Sequence, residues 1–111
     1  MKHIKEYENL NNNEPEEGDY VICKDIFISG YRMSKKLLDL FLSNNIGRIE
    51  RINININRYY IVYDNIPEGC KNSFMTYHNF QVRDFFRKEI KYWSKDREDL
   101  EAIIEAKKYN L

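Results

Sequence analysis

The stretch NNIGRIERINININRYYIVYDNIP, residues 44–67, joins an isoleucine-rich segment to a tyrosine-rich segment through a short polar turn. Ile46 and Ile52 share one side of an extended strand, because side chains alternate between the two faces, but Ile49 falls on the other side. The apolar side therefore changes near residues 50–51. This change predicts a β-bulge or a sharp bend in the strand at that point.

The rest of the stretch predicts a hairpin. The segment 55–58, NINR, has the composition of a turn in which Asn55 or Asn57 adopts a positive φ. The segment 59–66 is apolar on both sides, as expected of a central strand. The pattern places five isoleucines in one core: Ile46, Ile49, Ile52, Ile54 and Ile61.

The flanking segments extend this pattern in both directions. In chain order they predict a buried first strand from residue 19, a helix at 34–45, a fourth strand at 73–80, a turn or short helix to about Arg87, a short strand ending at Trp93 and a helix that begins at Ser94. Leu100, Ile103 and Ile104 form a narrow apolar stripe on the last helix, which predicts that most of its surface is exposed.

Length and charge favour one small domain with an acidic start. The chain has 111 residues and a formal net charge of zero. Residues 1–20 carry two lysines against six acidic side chains, whereas residues 21–111 carry sixteen basic against twelve acidic side chains. We therefore predict an acidic N-terminal arm at 1–17 followed by a basic body. The overall net charge of zero argues against a protein whose whole body binds a polyanion.

Three segments resemble the SH3-like small β-barrel in its broad sense: EGDYVIC, NIGRIERI and YYIVYDNI. The resemblance implies a mainly β protein with some α structure, namely a five-stranded barrel with a helix inserted after the first strand and a C-terminal helix. The barrel would span residues 18–93 and the helix residues 94–111. The chain's start, MKHIKEYE, and its end, AKKYNL, resemble small phage-encoded proteins.

The sequence predicts no catalytic site, no metal site and no cofactor. Four residues could ligate zinc, but they lack the close pairing of structural zinc sites: His3, Cys23, Cys70 and His78. We expect the two cysteines to be reduced thiols. The first ten residues lack the apolar core of a signal peptide, and the run LLDLFL is too short to cross a bilayer. We therefore expect a cytoplasmic protein that binds no membrane, in the host cytoplasm if it is phage-encoded.

Aromatic and arginine side chains suggest two binding functions. Interfaces between proteins are enriched in Tyr, Trp and Arg. The leading prediction is a non-enzymatic module that binds a host or phage protein stoichiometrically, for example an inhibitor of a defence nuclease, in the manner of an anti-CRISPR protein. Its expected anchors are Tyr59, Tyr60, Tyr77, Tyr92 and Trp93, with Arg48 and Arg87 at the rim.

The alternative prediction is an accessory protein that binds single-stranded RNA or DNA. Cations interleaved with aromatic rings suit such a ligand, because they attract phosphates while the rings stack on bases. The residues expected to bind it are Arg48, Arg51, Arg58 and Tyr59. The sequence leaves the identity of the partner and the oligomeric state open.

Overall fold

The computed structural model describes residues 14–26 and 33–109. This part of the chain contains six strands, two α-helices and three short 3-10 segments. The strands are β1 (Tyr20–Cys23), β2 (Gly47–Asn53), β3 (Arg58–Tyr63), β4 (Met75–Tyr77), β5 (Phe80–Phe85) and β6 (Ile90–Ser94). The helices are α1 (Met33–Asn44) and α2 (Arg97–Tyr109), and the 3-10 segments are Ile54–Ile56, Glu68–Ser73 and Arg87–Glu89.

The strands form one antiparallel sheet in the order β4-β5-β3-β2-β1-β6. The expected combination of a mainly antiparallel sheet, an inserted helix and a C-terminal helix is present. The sheet has six strands rather than five, and β4 and β6 lie at its two ends, so the strand pairing describes an open sheet and not the predicted closed barrel. The domain division at residues 18–93 and 94–111 remains a prediction.

The sixth strand arises from a turn that the sequence analysis missed. We predicted one strand at 73–80, but the chain reverses at His78 and Asn79, whose φ angles are 48° and 69°. Two consecutive residues with positive φ make a tight hairpin turn whose twist matches that of the flanking strands. The turn separates β4 from β5, so residues 80–85 form a strand instead of the expected turn or short helix.

The predicted bulge in β2 is confirmed. Its pairing with β3 shifts register between Ile49 and Arg51. Ile49 is fully buried, and Ile52, three residues further, still packs against the same core. Without the extra residue, these two side chains would lie on opposite faces of the strand.

The hairpin tip differs from the prediction in one respect. Asn57 adopts the left-handed conformation, with φ 54°, as one of the two expected positions. However, Ile54 lies in the 3-10 segment Ile54–Ile56 and is 81% exposed. Its placement in the core was wrong, because β2 ends at Asn53 and the alternation of faces ends with it.

Apolar side chains pack in two clusters on opposite faces of β1. Val21 and Cys23 belong to the first cluster, whereas Ile22 belongs to the second. The first cluster, beneath α1, comprises Val21, Cys23, Leu38, Phe41, Leu42, Ile49, Tyr59, Ile61, Tyr63, Ile66, Cys70, Phe74, Phe85, Ile90 and Trp93. The second cluster, beneath α2, comprises Ile22, Ile46 and Leu100, with Tyr20, Tyr92, Ile103 and Ile104 packed against it.

Polar side chains fix the helix ends. The Asn44 and Asn45 side-chain amides donate to the carbonyls of Leu40 and Phe41 at 2.9 and 2.8 Å, which satisfies acceptors in the last turn of α1. Helix α2 begins at Arg97 rather than at Ser94. Ser94 ends β6, and its hydroxyl donates to Asp99 at 2.6 Å and accepts from the Asp96 amide at 3.0 Å.

The described end of the acidic arm lies against the sheet. Glu14 accepts two hydrogen bonds from the Arg87 guanidinium at 2.9 and 3.2 Å. Glu16 accepts from the Lys95 ammonium at 2.8 Å, and the Glu17 carboxylate accepts from the Ile52 amide, beside the bulge, at 3.0 Å. Residues 1–13 lie outside the described residues.

Candidate functional site

The face of the sheet opposite α1 carries a mixed aromatic and arginine surface. Tyr59, Ile61 and Tyr63 of β3 join the first cluster, so Tyr60 and the remaining β3 side chains of the same parity lie on the other side. The strand register places their partners on β2, β5 and β4 on this side too. We call this surface the outer face and define it by Arg48, Arg51, Arg58, Tyr60, Val62, Met75, Tyr77, Phe80, Val82 and Asp84.

The apolar part of the outer face lies at the sheet edge. Met75, Tyr77 and Phe80 are 55%, 58% and 45% exposed. Beside them Val62 and Val82 pair across β3 and β5 and are buried, although neither belongs to the two clusters. A groove of about 330 Å³ lies here, and its walls are Glu17, Glu50, Arg51, Tyr60, Met75, Thr76, Tyr77 and Val82.

The arginines of the outer face already have partners. Arg48 forms an ion pair with Glu50 at 3.1 Å. Arg58 forms one with Asp84 at 3.2 Å and lies over the Phe86 ring at 4.0 Å.

Arg51 lies over the Tyr60 ring, with its guanidinium carbon 4.4 Å from the ring centre. Such stacking holds the cation and the aromatic ring in one orientation. The three arginines of the outer face therefore lie near three carboxylates, Asp84 on the same face and Glu17 and Glu50 in the walls of the groove, and the local charge is close to balanced.

Two of the predicted anchors are core residues, which corrects the sequence prediction. Tyr59 is 6% exposed and Trp93 is 2% exposed, and both belong to the first cluster. Burial raises the pKa of Tyr59, against the opposing charge of Arg87. Arg87, predicted at the rim, lies over the Trp93 ring at 4.4 Å and covers it.

The remaining predicted residues lie on two different surfaces. Tyr92 is half-buried against the second cluster, beneath α2. Five others share the outer face: Arg48, Arg51, Arg58, Tyr60 and Tyr77. Sequence reasoning missed Met75, Phe80 and Val82 there, because the turn at residues 78–79 that aligns them was not recognised.

Burial keeps the Cys23 thiol protonated. Burial raises its pKa from 9.0 to about 12, and the nearby Glu89 carboxylate acts in the same direction. The Tyr63 hydroxyl lies beside this thiol, is itself buried, and its pKa is also raised well above 10.0, mainly by burial. A thiol with this pKa is a poor nucleophile near neutral pH, because the thiolate is the reactive form.

Cys70 and His78 do not show the features of a thiol–imidazole pair. Cys70 is buried in the 3-10 segment Glu68–Ser73, and burial raises the pKa of its thiol. His78 is exposed in the turn between β4 and β5, rather than in the strand predicted for it, and its ring packs against Tyr77 at 4.2 Å. Within residues 14–26 and 33–109, no three or more His, Cys, Asp or Glu side chains are grouped to hold a metal ion.

A charged group closes one end of the first cluster. The Arg83 guanidinium donates to Asp25 at 3.2 Å and to the Ser73 carbonyl at 3.1 Å. Asp25 is 8% exposed and also pairs with Lys35 at 3.4 Å. Because the buried carboxylate has two cations, this group has the form of a structural ion-pair network.

Comparison of the chain with protein-family models, with curated proteins and with solved structures finds no match in any of the three. No helix in the described part of the chain is long and apolar enough to cross a membrane. Functional inference therefore rests on the geometry of the molecule's own surfaces.

Proposed function

We propose that the protein is a non-enzymatic binding module whose outer face forms a stoichiometric complex with a partner protein. The observation that carries the proposal is the exposed apolar strip of Met75, Tyr77 and Phe80 beside the 330 Å³ groove. Exposed aromatic and methionine side chains grouped on one surface are typical of protein interfaces. The resemblance to small phage-encoded proteins suggests a host or phage protein as the partner, with inhibition as the effect.

The charge balance favours a protein over single-stranded nucleic acid on this face. A nucleic acid is bound by cationic side chains that are available to neutralise its phosphates and so release its condensed counterions. Here Arg48 and Arg58 are held by Glu50 and Asp84, and these carboxylates would repel phosphates. A mixed rim of both signs instead complements a mixed protein surface.

The position of β4 suggests how the partner is held. β4 ends the sheet order, and its three residues are exposed. An edge strand offers unpaired backbone groups to an extended segment, while side chains on alternate positions supply specificity. Met75 and Tyr77 are alternate residues of β4 on the outer face, so they would contact the side chains of such a segment.

The test is a tagged pull-down from the native host with the wild-type chain and two variants. Tyr77→Ala removes an exposed tyrosine ring from the outer face, and Tyr109→Ala removes a more exposed tyrosine ring from the end of α2. We expect Tyr77→Ala to weaken recovery of a specific partner at least about tenfold, because a tyrosine at an interface hot spot contributes more than about 1.4 kcal/mol. Tyr109→Ala should behave as wild type.

Titration of the partner's activity separates binding from turnover. Inhibition should saturate near one equivalent of the protein when the affinity is tight, since occupancy is the only effect available to a module without catalysis. Recovery of no specific protein would overturn the proposal. So would equal losses in both variants, or an effect that continues to grow at a small fraction of one equivalent.

A further inference from the structure

A second concave surface lies on the other side of the molecule from the outer face's β4 edge, where β1, β6 and both α-helices meet. It is a cleft of about 590 Å³, large enough for a ligand the size of a nucleotide. Its walls carry four lysines from four separate parts of the chain. Lys24 follows β1, Lys36 lies on α1, Lys91 on β6 and Lys107 on α2.

The charge of the cleft is strongly one-sided. Among the described residues that line it, the single acidic side chain is Asp39, which accepts a hydrogen bond from Lys35 at 2.8 Å. Among the residues that the structure describes, Lys24 and Lys91 form no ion pair. Like charges grouped in a concave surface concentrate positive potential and attract an anion. The outer face differs, because Arg48 and Arg58 form ion pairs with Glu50 and Asp84.

The floor of the cleft is apolar. It includes Ile22, Leu40 and Tyr92, of which Leu40 is 63% exposed and Tyr92 is half-buried. The Lys107 ammonium lies 5.9 Å from the centre of the Tyr92 ring. A flat ligand group could therefore contact the ring and the leucine while its phosphate meets the lysines. The volume of the cleft suits a compact ligand with a flat group and a phosphate better than a long acyl chain.

We propose that this cleft binds a phosphorylated ligand with a planar base, either a free nucleotide or the end of a single-stranded nucleic acid. Lysine ammonium groups bind the phosphate, and Leu40 and Tyr92 contact the base. The site is separate from the outer face, so it neither requires nor excludes the proposed protein complex.

The test measures binding of fluorescently labelled AMP, ATP and a short oligothymidylate to the full chain in low salt. We expect a one-to-one complex that weakens as salt is raised, because lysine–phosphate contacts release counterions. Adenosine lacks the phosphate and inorganic phosphate lacks the base. Each should therefore compete for the cleft at least about tenfold less well than AMP. Displacement of AMP by the oligonucleotide, with tighter binding than AMP, assigns the end of a strand as ligand; binding of AMP or ATP without such displacement assigns a free nucleotide.

Charge-matched variants locate the site. The double variant Lys24→Gln/Lys91→Gln removes two cleft cations and should weaken binding at least about tenfold, because each cation contributes a charge-assisted contact to the phosphate. Lys71→Gln/Lys88→Gln removes the same charge from exposed lysines outside the cleft and should bind as wild type. Leu40→Glu, at an exposed position, should abolish binding without loss of the fold.

Three results would overturn the proposal. The first is the absence of binding by every labelled ligand up to about 1 mM, which corresponds to only about 4 kcal/mol of binding free energy. The second is equal weakening by the two double variants, which would indicate general charge attraction. The third is undiminished binding by Leu40→Glu. Tyr77→Ala should leave nucleotide binding unchanged, so failure of this proposal and failure of the protein-binding proposal are distinguishable.

Discussion

At the scale of single residues, exposure separates side chains that look alike in sequence. Ile54 and Ile61 both belong to the isoleucine and tyrosine pattern of the hairpin. Ile61 is fully buried between β2 and β5, whereas Ile54 is 81% exposed at the hairpin tip. Truncation of a buried side chain loses its transfer free energy and leaves a cavity, but truncation at the surface does neither.

We therefore expect Ile61→Ala and Ile54→Ala to differ sharply in urea denaturation. Ile61→Ala should lower the free energy of unfolding by about 2–5 kcal/mol, the range for large-to-small core changes. Ile54→Ala should change it by less than about 0.5 kcal/mol. Similar losses in the two variants would contradict the position of Ile54 at the tip.

The buried Cys23 thiol predicts a loss of stability in alkaline solution. Its pKa in the folded protein is about 12 against an ordinary value of 9.0, so the thiol stays protonated in the fold after the unfolded chain has ionised. The stabilisation is complete below pH 9 and falls as the pH rises from 9 towards 12. This single group should lower the free energy of unfolding by about 2 kcal/mol between pH 8 and about pH 10.5.

Urea denaturation at these two pH values compares the wild type with Cys23→Ala. The variant is expected to be less stable at pH 8, because it leaves a small cavity, but to lose about 2 kcal/mol less on going to the higher pH. Tyr59 contributes to both proteins and cancels in the comparison. The pKa of the Tyr63 hydroxyl is raised partly by Cys23, so it is raised less in the variant, and this change acts in the same direction as the loss of the thiol. An identical pH dependence in the two proteins would refute the assigned role of this thiol.

At the scale of elements, β2 depends on a close approach to β3. Gly47 begins β2, and a Cβ atom there would overlap the Ile61 side chain and lie 2.8 Å from Cζ of Tyr63. Both neighbours are core residues that cannot move freely. The glycine therefore leaves room for the Ile61 and Tyr63 side chains beside the start of β2. The bulge after Ile49 then lets Ile52 pack against the same cluster.

Substitution by alanine tests this close approach. Gly47→Ala should destabilise the protein by about 1–3 kcal/mol through overpacking. Gly69→Ala is the matched control: its Cβ would meet the end of the Leu37 side chain at 2.8 Å, but Leu37 is 42% exposed and can move aside. We expect a change below about 0.5 kcal/mol for the control. Thermal unfolding followed by circular dichroism would contradict the argument if the two variants melted alike.

At the scale of the whole molecule, β1 joins the two apolar clusters into one unit. Val21 and Cys23 contact the first cluster while Ile22, between them, contacts Leu100 of α2 in the second. Helix α2 thus stabilises the sheet from the face opposite α1. The same packing forms the two proposed binding surfaces. Strands β2–β5 form the outer face, and β1, β6 and the two α-helices form the cleft that carries the four lysines.

This arrangement predicts cooperative unfolding of both clusters. Leu100 is fully buried, so Leu100→Ala should cost about 2–5 kcal/mol. The single tryptophan, Trp93, lies in the first cluster and reports on that cluster by fluorescence. We expect the fluorescence and far-ultraviolet circular dichroism transitions of the variant to shift together to lower urea. A fluorescence transition that stays at its wild-type position would mean that the second cluster unfolds alone.

Those features that depend on neighbouring residues could be predicted from the sequence. The bulge follows from the changed side of Ile49, and the hairpin turn from the tolerance of Asn57 for positive φ. The inserted helix, the C-terminal helix and its apolar stripe follow from local periodicity and end residues. In each case the deciding interaction lies within a few positions along the chain.

Tertiary structure alone decided which aromatic and charged residues lie together at the surface. The sequence predicts Trp93 as an interface anchor, but Arg87 and the first cluster cover its side chain. The chain reverses at His78, which carries no strong hairpin signal, and this turn places Phe80 beside Tyr77. The four cleft lysines are far apart in sequence and meet only when both helices pack on the sheet. Burial and convergence depend on contacts between distant segments, and no local pattern of residue types encodes them.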